Sequence, residues 1–257
     1  MRHQARKRFG QNFLVDQQVI SRIISAIDPQ PDQLMIEIGP GRAALTDPLL
    51  NSGAELHLIE IDRDLAESLR TRILLHPKAQ LHIADALRLD FGELLAGRRF
   101  RLVGNLPYNI STPLLFHVLN WQAQIVDMHF MLQKELVDRM CSSPGGKAWG
   151  RLAIMCQYHC QIDRLFDVPP RAFSPSPKVH SSIVRLVPHQ NPPVEIPSMK
   201  KFQQLVTQAF NHRRKTLRNC LKGWVSGEQI ESVGIDPGVR PETLDMEAFA
   251  TLSRFVD

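Results

Sequence analysis

No stretch of this 257-residue chain approaches the roughly 18 consecutive apolar residues of a membrane-spanning helix. Its start, Met1-Arg2-His3, is charged and has no apolar run behind it, so no secretory leader is expected. Cysteine is scarce: Cys141, Cys156, Cys160 and Cys220 form no paired framework, which points to a reducing, cytoplasmic setting. Cys156, His159 and Cys160 lie close in sequence, but no second ligand pair accompanies them. They read as core filler, and no metal site is expected. There is no sequence pattern of a catalytic triad and no lysine-rich phosphate loop. What remains is the composition of an ordinary globular protein, 43% hydrophobic and 22% charged.

Charge of one sign is missing from two places. Residues 2–8 carry Arg2, Arg6, Lys7 and Arg8 with no acid, and residues 213–222 carry Arg213, Arg214, Lys215, Arg218 and Lys222 with none. Between 37 and 67, seven acids outweigh Arg42 and Arg63. The two ends therefore suit a polyanion and the acidic segment a cationic ligand.

The pattern along the chain alternates strand and helix, as in a doubly wound α/β sheet. A helix capped by Asp16 has an apolar face of Val19, Ile20, Ile23, Ile24 and Ile27 and is stopped by Pro29 and Pro31. A strand from Leu34 to Ile38 runs into Gly39-Pro40-Gly41, then a helical segment limited by Pro48. Strand–Gly-x-Gly–helix is a nucleotide-cofactor turn, but the third glycine of the dinucleotide fingerprint is absent. The next strands, Leu56–Ile59 and Leu81–Ala84, end at Glu60 and Asp85, where carboxylates can take a ribose and an adenine amine. A cofactor with an adenosine and a cationic sulfonium but no phosphates, S-adenosylmethionine, satisfies these signals.

The strand Leu102-Val103-Gly104 leads into Asn105-Leu106-Pro107-Tyr108, before a helix with Ser111 or Thr112 as cap and Pro113 in its first turn. The Asn105 side-chain oxygen and the Leu106 carbonyl can each accept one N–H of a planar exocyclic amine. That directs the nitrogen lone pair toward an electrophile, while Pro107 stiffens the turn and Tyr108 stacks on the base. Farther on come a helix to about Leu119, a strand from Ile125 to Leu132, a helix from Lys134 to Met140, and a surface turn from Ser142 to Gly150. A proline-studded loop, 168–178, presents Phe173 before a last strand, Ser182–Val187. The proline-rich stretch 188–197 reads as a linker, which divides the chain into a domain over 1–192 and a small all-helical one over 193–257.

In order, Gln11-Asn12-Phe13-Leu14, Glu37-Ile38-Gly39-Pro40-Gly41, Glu60, Asp85, Asn105-Leu106-Pro107-Tyr108, Phe173 to Val179 and Phe210 to Thr216 resemble the ribosomal RNA adenine N6-dimethyltransferases. The likeness is to their bacterial small-subunit group and spans nearly the whole chain. It implies a Rossmann-like class I S-adenosylmethionine-dependent sheet with helices on both faces, plus the small helical C-terminal domain contributing to RNA binding. It implies that Asn12 and Leu14 close over the cofactor, that Gly39 and Gly41 line its methionine and ribose side, and that Glu60 and Asp85 hold its ribose and adenine. Asn105 borders both cofactor and target amine, and Tyr108 and Phe173 clamp the target adenine. The implied reaction is dimethylation of two adjacent adenosines in a hairpin loop near the 3′ end of 16S rRNA, by a cytoplasmic monomer partnered with the small-subunit precursor. His180 departs from the family's usual Asp. The large-subunit rRNA methylases and a non-catalytic assembly factor remain as alternatives.

Overall fold

A computed structural model of the chain describes residues 12–212 and 214–256. In chain order the elements are β1 (Phe13–Leu14), α1 (Gln17–Ile27), β2 (Leu34–Ile38), α2 (Thr46–Asn51), β3 (Glu55–Glu60), α3 (Arg63–Ile73), β4 (Ala79–Ile83), α4 (Phe91–Leu94), β5 (Phe100–Asn105) and α5 (Ser111–Val118). Then follow β6 (Ile125–Gln133), α6 (Lys134–Met140), α7 (Arg151–His159), β7 (Cys160–Val168), β8 (Phe173–Ser174), β9 (Ser181–Pro188), α8 (Met199–Phe210), α9 (Leu217–Cys220), α10 (Gly227–Ser232) and α11 (Met246–Leu252). No described helix is long and apolar enough to cross a membrane.

Seven strands form one sheet in the order β4-β3-β2-β5-β6-β9-β7. β4, β3, β2, β5 and β6 run parallel, and β9 pairs antiparallel with β6 from Ser181↔Gln133 to Leu186↔Met128. From β2 the chain winds outward through β3 to β4, then returns to add β5 and β6 on the other side. The reversal opens a crevice at the carboxyl ends of β2 and β5, where such sheets take ligands. β2 is buried at every position, as expected of a central parallel strand. β5 lies so close to it that a Cβ at Gly104 would sit 2.6 Å from the Ile38 carbonyl oxygen.

The helices begin and end for local reasons. Asp16 accepts from the backbone N–H groups of Gln18 and Val19, and Asp28 takes a left-handed φ of 48° to close α1. Pro48 falls in the first turn of α2, where no intrahelical donor is needed, and that helix spans only six residues. α5 corrects its expected cap. Ile110 is the cap residue and makes no side-chain cap bond, whereas Ser111 is the first helical residue and its hydroxyl donates back to the Pro107 carbonyl at 3.0 Å.

The chain divides into two compact units: residues up to Val137 with Asp163–Pro188, and Asp138–Ile162 with His189 onward. The expected division at 192 places 138–162 in the first domain; the structure places this segment in the second unit. The reason is packing within that unit. Tyr158 on α7 meets Phe202 on α8 with ring centroids 5.8 Å apart, and the buried Trp149 donates its indole N–H to the Leu244 carbonyl at 2.8 Å. The stretch 142–150, expected as a surface turn, therefore has a core residue at Trp149. Neither α7 nor β7 was foreseen from the sequence. Within the second unit, α8 presents Phe202, Leu205, Val206 and Ala209 inward, and Ser226 with Gln229 forms a reciprocal capping box on α10.

Candidate active site

A cleft of about 1040 Å³, including solvent at its mouth, opens at the carboxyl ends of β2, β3, β4 and β5 in the first unit. It brings together Asn12, Gly39, Glu60, Asp85, Asn105, Leu106 and Tyr108, seven of the residues singled out from sequence.

Glu60 ends β3 and is nearly buried. Its two carboxylate oxygens accept from the backbone N–H of Asp62 at 2.9 Å and of Gly41 at 3.2 Å. Burial raises its pKa, and these N–H bonds oppose the shift. Gly41 is thus a support for Glu60 and is not among the residues lining the cleft. Both Gly39 and Gly41 have positive φ, 68° and 58°, a conformation that favours glycine. Asp85 accepts from the Leu87 N–H at 3.0 Å through one oxygen and faces Arg88 Nε at 3.8 Å with the other.

Asn105 is the last residue of β5. Its carboxamide nitrogen donates to the backbone carbonyl of Asn12 at 3.0 Å, and a carbonyl can only accept, so the bond sets which way the amide points. Its oxygen accepts nothing from the described residues, and neither does the Leu106 carbonyl. Two acceptors on consecutive cleft-lining residues are therefore left without a partner. Tyr108 is half-buried, with its hydroxyl 2.8 Å from Ser181 Oγ. Burial raises its pKa, which keeps the phenol neutral.

Leu14 and Phe173 are not brought to the cleft. β1 pairs antiparallel with β8, with Leu14 opposite Phe173, and both side chains join the core at 5% and 4% exposure. Strand alternation explains the correction: one residue back, Phe13 faces the other way and lines the cleft. The Phe13 ring packs beneath the Arg42 guanidinium, 4.3 Å away. In this structure no second ring from Phe173 faces Tyr108.

Three supporting residues escaped the sequence. Ser181, fully buried at the start of β9, orients Tyr108 from 73 residues away. Phe13 lies in a two-residue strand, too short for alternation to announce its face. Gly104 is needed for the β2–β5 approach, which no local pattern announces. Beside the cleft floor, Glu37 is 2% exposed and accepts from the Thr46 hydroxyl at 2.7 Å. Burial pushes its carboxyl up to about 8, with the nearby Asp47 and Glu60 charges adding to the rise.

Of the basic clusters, Arg2, Arg6, Lys7, Arg8, Arg213 and also Gln11 lie outside the described residues. Arg214 and Lys215 are exposed, and Arg218 stands 3.8 Å from Glu231. His180 uses its backbone carbonyl, which accepts from the Lys134 N–H at 2.9 Å, while its side chain is exposed.

Known proteins place this arrangement. The family described as ribosomal RNA adenine dimethylase matches residues 2–257. A Pseudomonas aeruginosa protein named ribosomal RNA small subunit methyltransferase A is 54% identical over 252 residues, covering 98% of this chain and 94% of that one. A protein of the same name from Cronobacter sakazakii is 51% identical, covering 99% and 94%. The structure of the 23S rRNA methyltransferase ErmE is similar at a TM-score of 0.75 and 26% identity, over 96% of this chain and 100% of that one. A dimethyladenosine transferase from Plasmodium falciparum, at TM-score 0.79 and 24% identity over 93% and 95%, shares the fold. With that family matched almost from end to end, and its sheet, glycine turn and Asn-Leu-Pro-Tyr loop converging on one cleft, the chain belongs to the ribosomal RNA adenine dimethylases.

Proposed function

We propose that this chain uses S-adenosylmethionine to dimethylate N6 of two adjacent adenosines in a hairpin loop near the 3′ end of 16S rRNA, within the small-subunit precursor. The observation that carries it is the anchored carboxamide of Asn105, whose oxygen, like the next residue's carbonyl at Leu106, has no partner among the described residues, both residues lining the cleft. The cleft's other residues fit the cofactor: Gly39 leaves the loop backbone open, Glu60 suits ribose hydroxyls and Asp85 an adenine amine, while Ile59, Ile61 and Ala86 offer apolar contact. When bound, the cofactor supplies an electrophilic methyl on a sulfonium. Asn105 and Leu106 accept the N–H groups of the target amine and turn its lone pair out of conjugation. Tyr108, braced by Ser181, stacks on the base. No protein base is required, because the alkylated nitrogen becomes acidic enough to lose its proton to water. Positioning and electrostatics carry the rate. A loop base is partly unstacked already, which lowers the cost of extruding it.

Exposed Arg214 and Lys215 suit RNA phosphates, which fix position without reading sequence. An rRNA substrate supports a cytoplasmic setting. Identity above 50% to small-subunit enzymes, against 26% to ErmE, favours 16S over 23S RNA. The test is labelled-methyl transfer to unmethylated small subunits, with large subunits in parallel and the modified bases mapped. Two dimethyladenosines in the small-subunit loop are expected; label in the large subunit, or none, sinks the assignment.

A further inference from the structure

The second unit has a groove of its own, lined by Arg151, Lys200, Gln203, Gln204, Gln208 and Trp224. It forms on the solvent stripe of α8. Lys200, Gln203 and Gln204, then Gln208, recur at helical spacing opposite the buried Phe202, Leu205, Val206 and Ala209. Trp224 closes one side with 37% of its surface exposed, and its indole N–H has no partner among the described residues. Gln208 is held by donating to the Cys220 carbonyl at 2.9 Å.

The charges here are not explained by stability. Arg151 is the first residue of α7 and Lys200 the second of α8. Positive charge is disfavoured in a helix's first turn, where the dipole is already positive. Neither first turn holds an acid, and no described carboxylate lies within ion-pair distance of either cation. Two unneutralised cations beside an exposed aromatic face and three amides match one chemistry well. Phosphates pair with the cations, a base stacks on the indole, and amides both give and accept hydrogen bonds to base edges and 2′-hydroxyls.

We propose that this groove binds a single-stranded RNA segment, with a base on Trp224 and neighbouring phosphates on Arg151 and Lys200. It rests on the assignment of ribosomal RNA as substrate and adds a contact surface remote in sequence from the Asn105 loop.

The probe is an oligoadenylate of about ten nucleotides, titrated against the full chain while tryptophan fluorescence is followed. Stacking quenches the parent's emission, and Trp224→Phe abolishes most of that quench while keeping affinity, since Trp121 and Trp149 remain. Trp224→Ala weakens binding roughly 5- to 150-fold. Arg151→Gln with Lys200→Gln lowers the slope of log affinity against log salt by about 1.4, and Arg151→Lys with Lys200→Arg restores it. Melting temperatures identify any variant that unfolds, and the conservative pair still tests the groove in that event. A quench that survives Trp224→Phe overturns the proposal, as does a salt slope unchanged in the glutamine pair. Displacement of the RNA by equimolar polyglutamate overturns it in favour of an acidic protein partner. Methyl transfer by the parent to unmethylated small subunits is read separately. If the parent methylates and the groove variants bind as it does, only the groove falls; if the parent does not methylate, the rRNA occupant falls with the function.

Discussion

Asn105 commits its nitrogen to the Asn12 carbonyl and leaves its oxygen unpaired among the described residues, so the role proposed for it belongs to the reacting geometry more than to affinity. Asn105→Ala is expected to lower turnover on the order of a hundredfold while RNA affinity stays close to the parent's. Near-normal single-turnover rates would remove Asn105 from the chemistry. Tyr108 and Ser181 share one hydrogen bond, so their hydroxyls act as a unit. Tyr108→Phe and Ser181→Ala should each slow methyl transfer, and the double variant should be no slower than the worse single one. Losses that simply multiply would show two independent roles. Glu37 makes a prediction about pH. A carboxyl raised from 4.5 to about 8 in the folded chain binds its proton more tightly there than in the unfolded one. Stability from this group is thus full below about 4.5 and is lost as pH rises toward about 8. Glu37→Gln keeps the shape and drops the titration. Thermal melts should show little difference near pH 5 and a variant more stable than the parent at pH 9, by roughly 2–4 °C for each kcal/mol recovered. His129 titrates the other way, since burial lowers it from 6.5 to about 4 and its contribution is lost as pH falls through that window. An acid-side decline common to parent and variant is its signature.

β5 owes its place to Gly104, because a side chain there would collide with the Ile38 carbonyl and push β5 from β2. Gly104→Ala should cost about 1–3 kcal/mol and should misplace the Asn105 loop, read together as a lower melting temperature and slower methyl transfer. An unchanged melt would mean the strands can part without harm. At this scale the sequence was legible wherever period and punctuation agree. α1 has its Asp16 cap and Ile face, the Leu34–Ile38 bounds match because the apolar run ends at Gly39, and the Lys134–Met140 bounds match as well. β7 was not legible. It lies at the sheet edge with half-exposed residues such as Asp163, Arg164 and Leu165, so no apolar run or clean alternation marks it. The burial of Leu14 and Phe173 in the core was hidden for a related reason. Two-residue strands are too short to show which face is inward, and only their mutual register reveals it.

Across the whole molecule, strand ends separated by dozens of residues meet in one cleft. Glu60→Ala should weaken cofactor binding by calorimetry, with oligonucleotide affinity unchanged; equal cofactor affinity would reduce Glu60 to a brace for the Gly41 loop. The cleft itself was largely legible because Glu60 and Asn105 each end a strand, Asp85 follows the end of β4 by two residues, and strand ends of one parallel sheet converge. The supports were hidden by distance along the chain, as with Ser181. That distance has a consequence for the order of synthesis. β1 precedes every other described element, yet its ladder partner β8 and the Ser181 hydroxyl come some 160 residues later in the chain. A nascent chain can emerge with Glu60 and Asp85 in place and still lack the strand that seats β1 and the brace on Tyr108. The β1–β8 ladder and the Tyr108–Ser181 bond can form only after translation has passed Ser181.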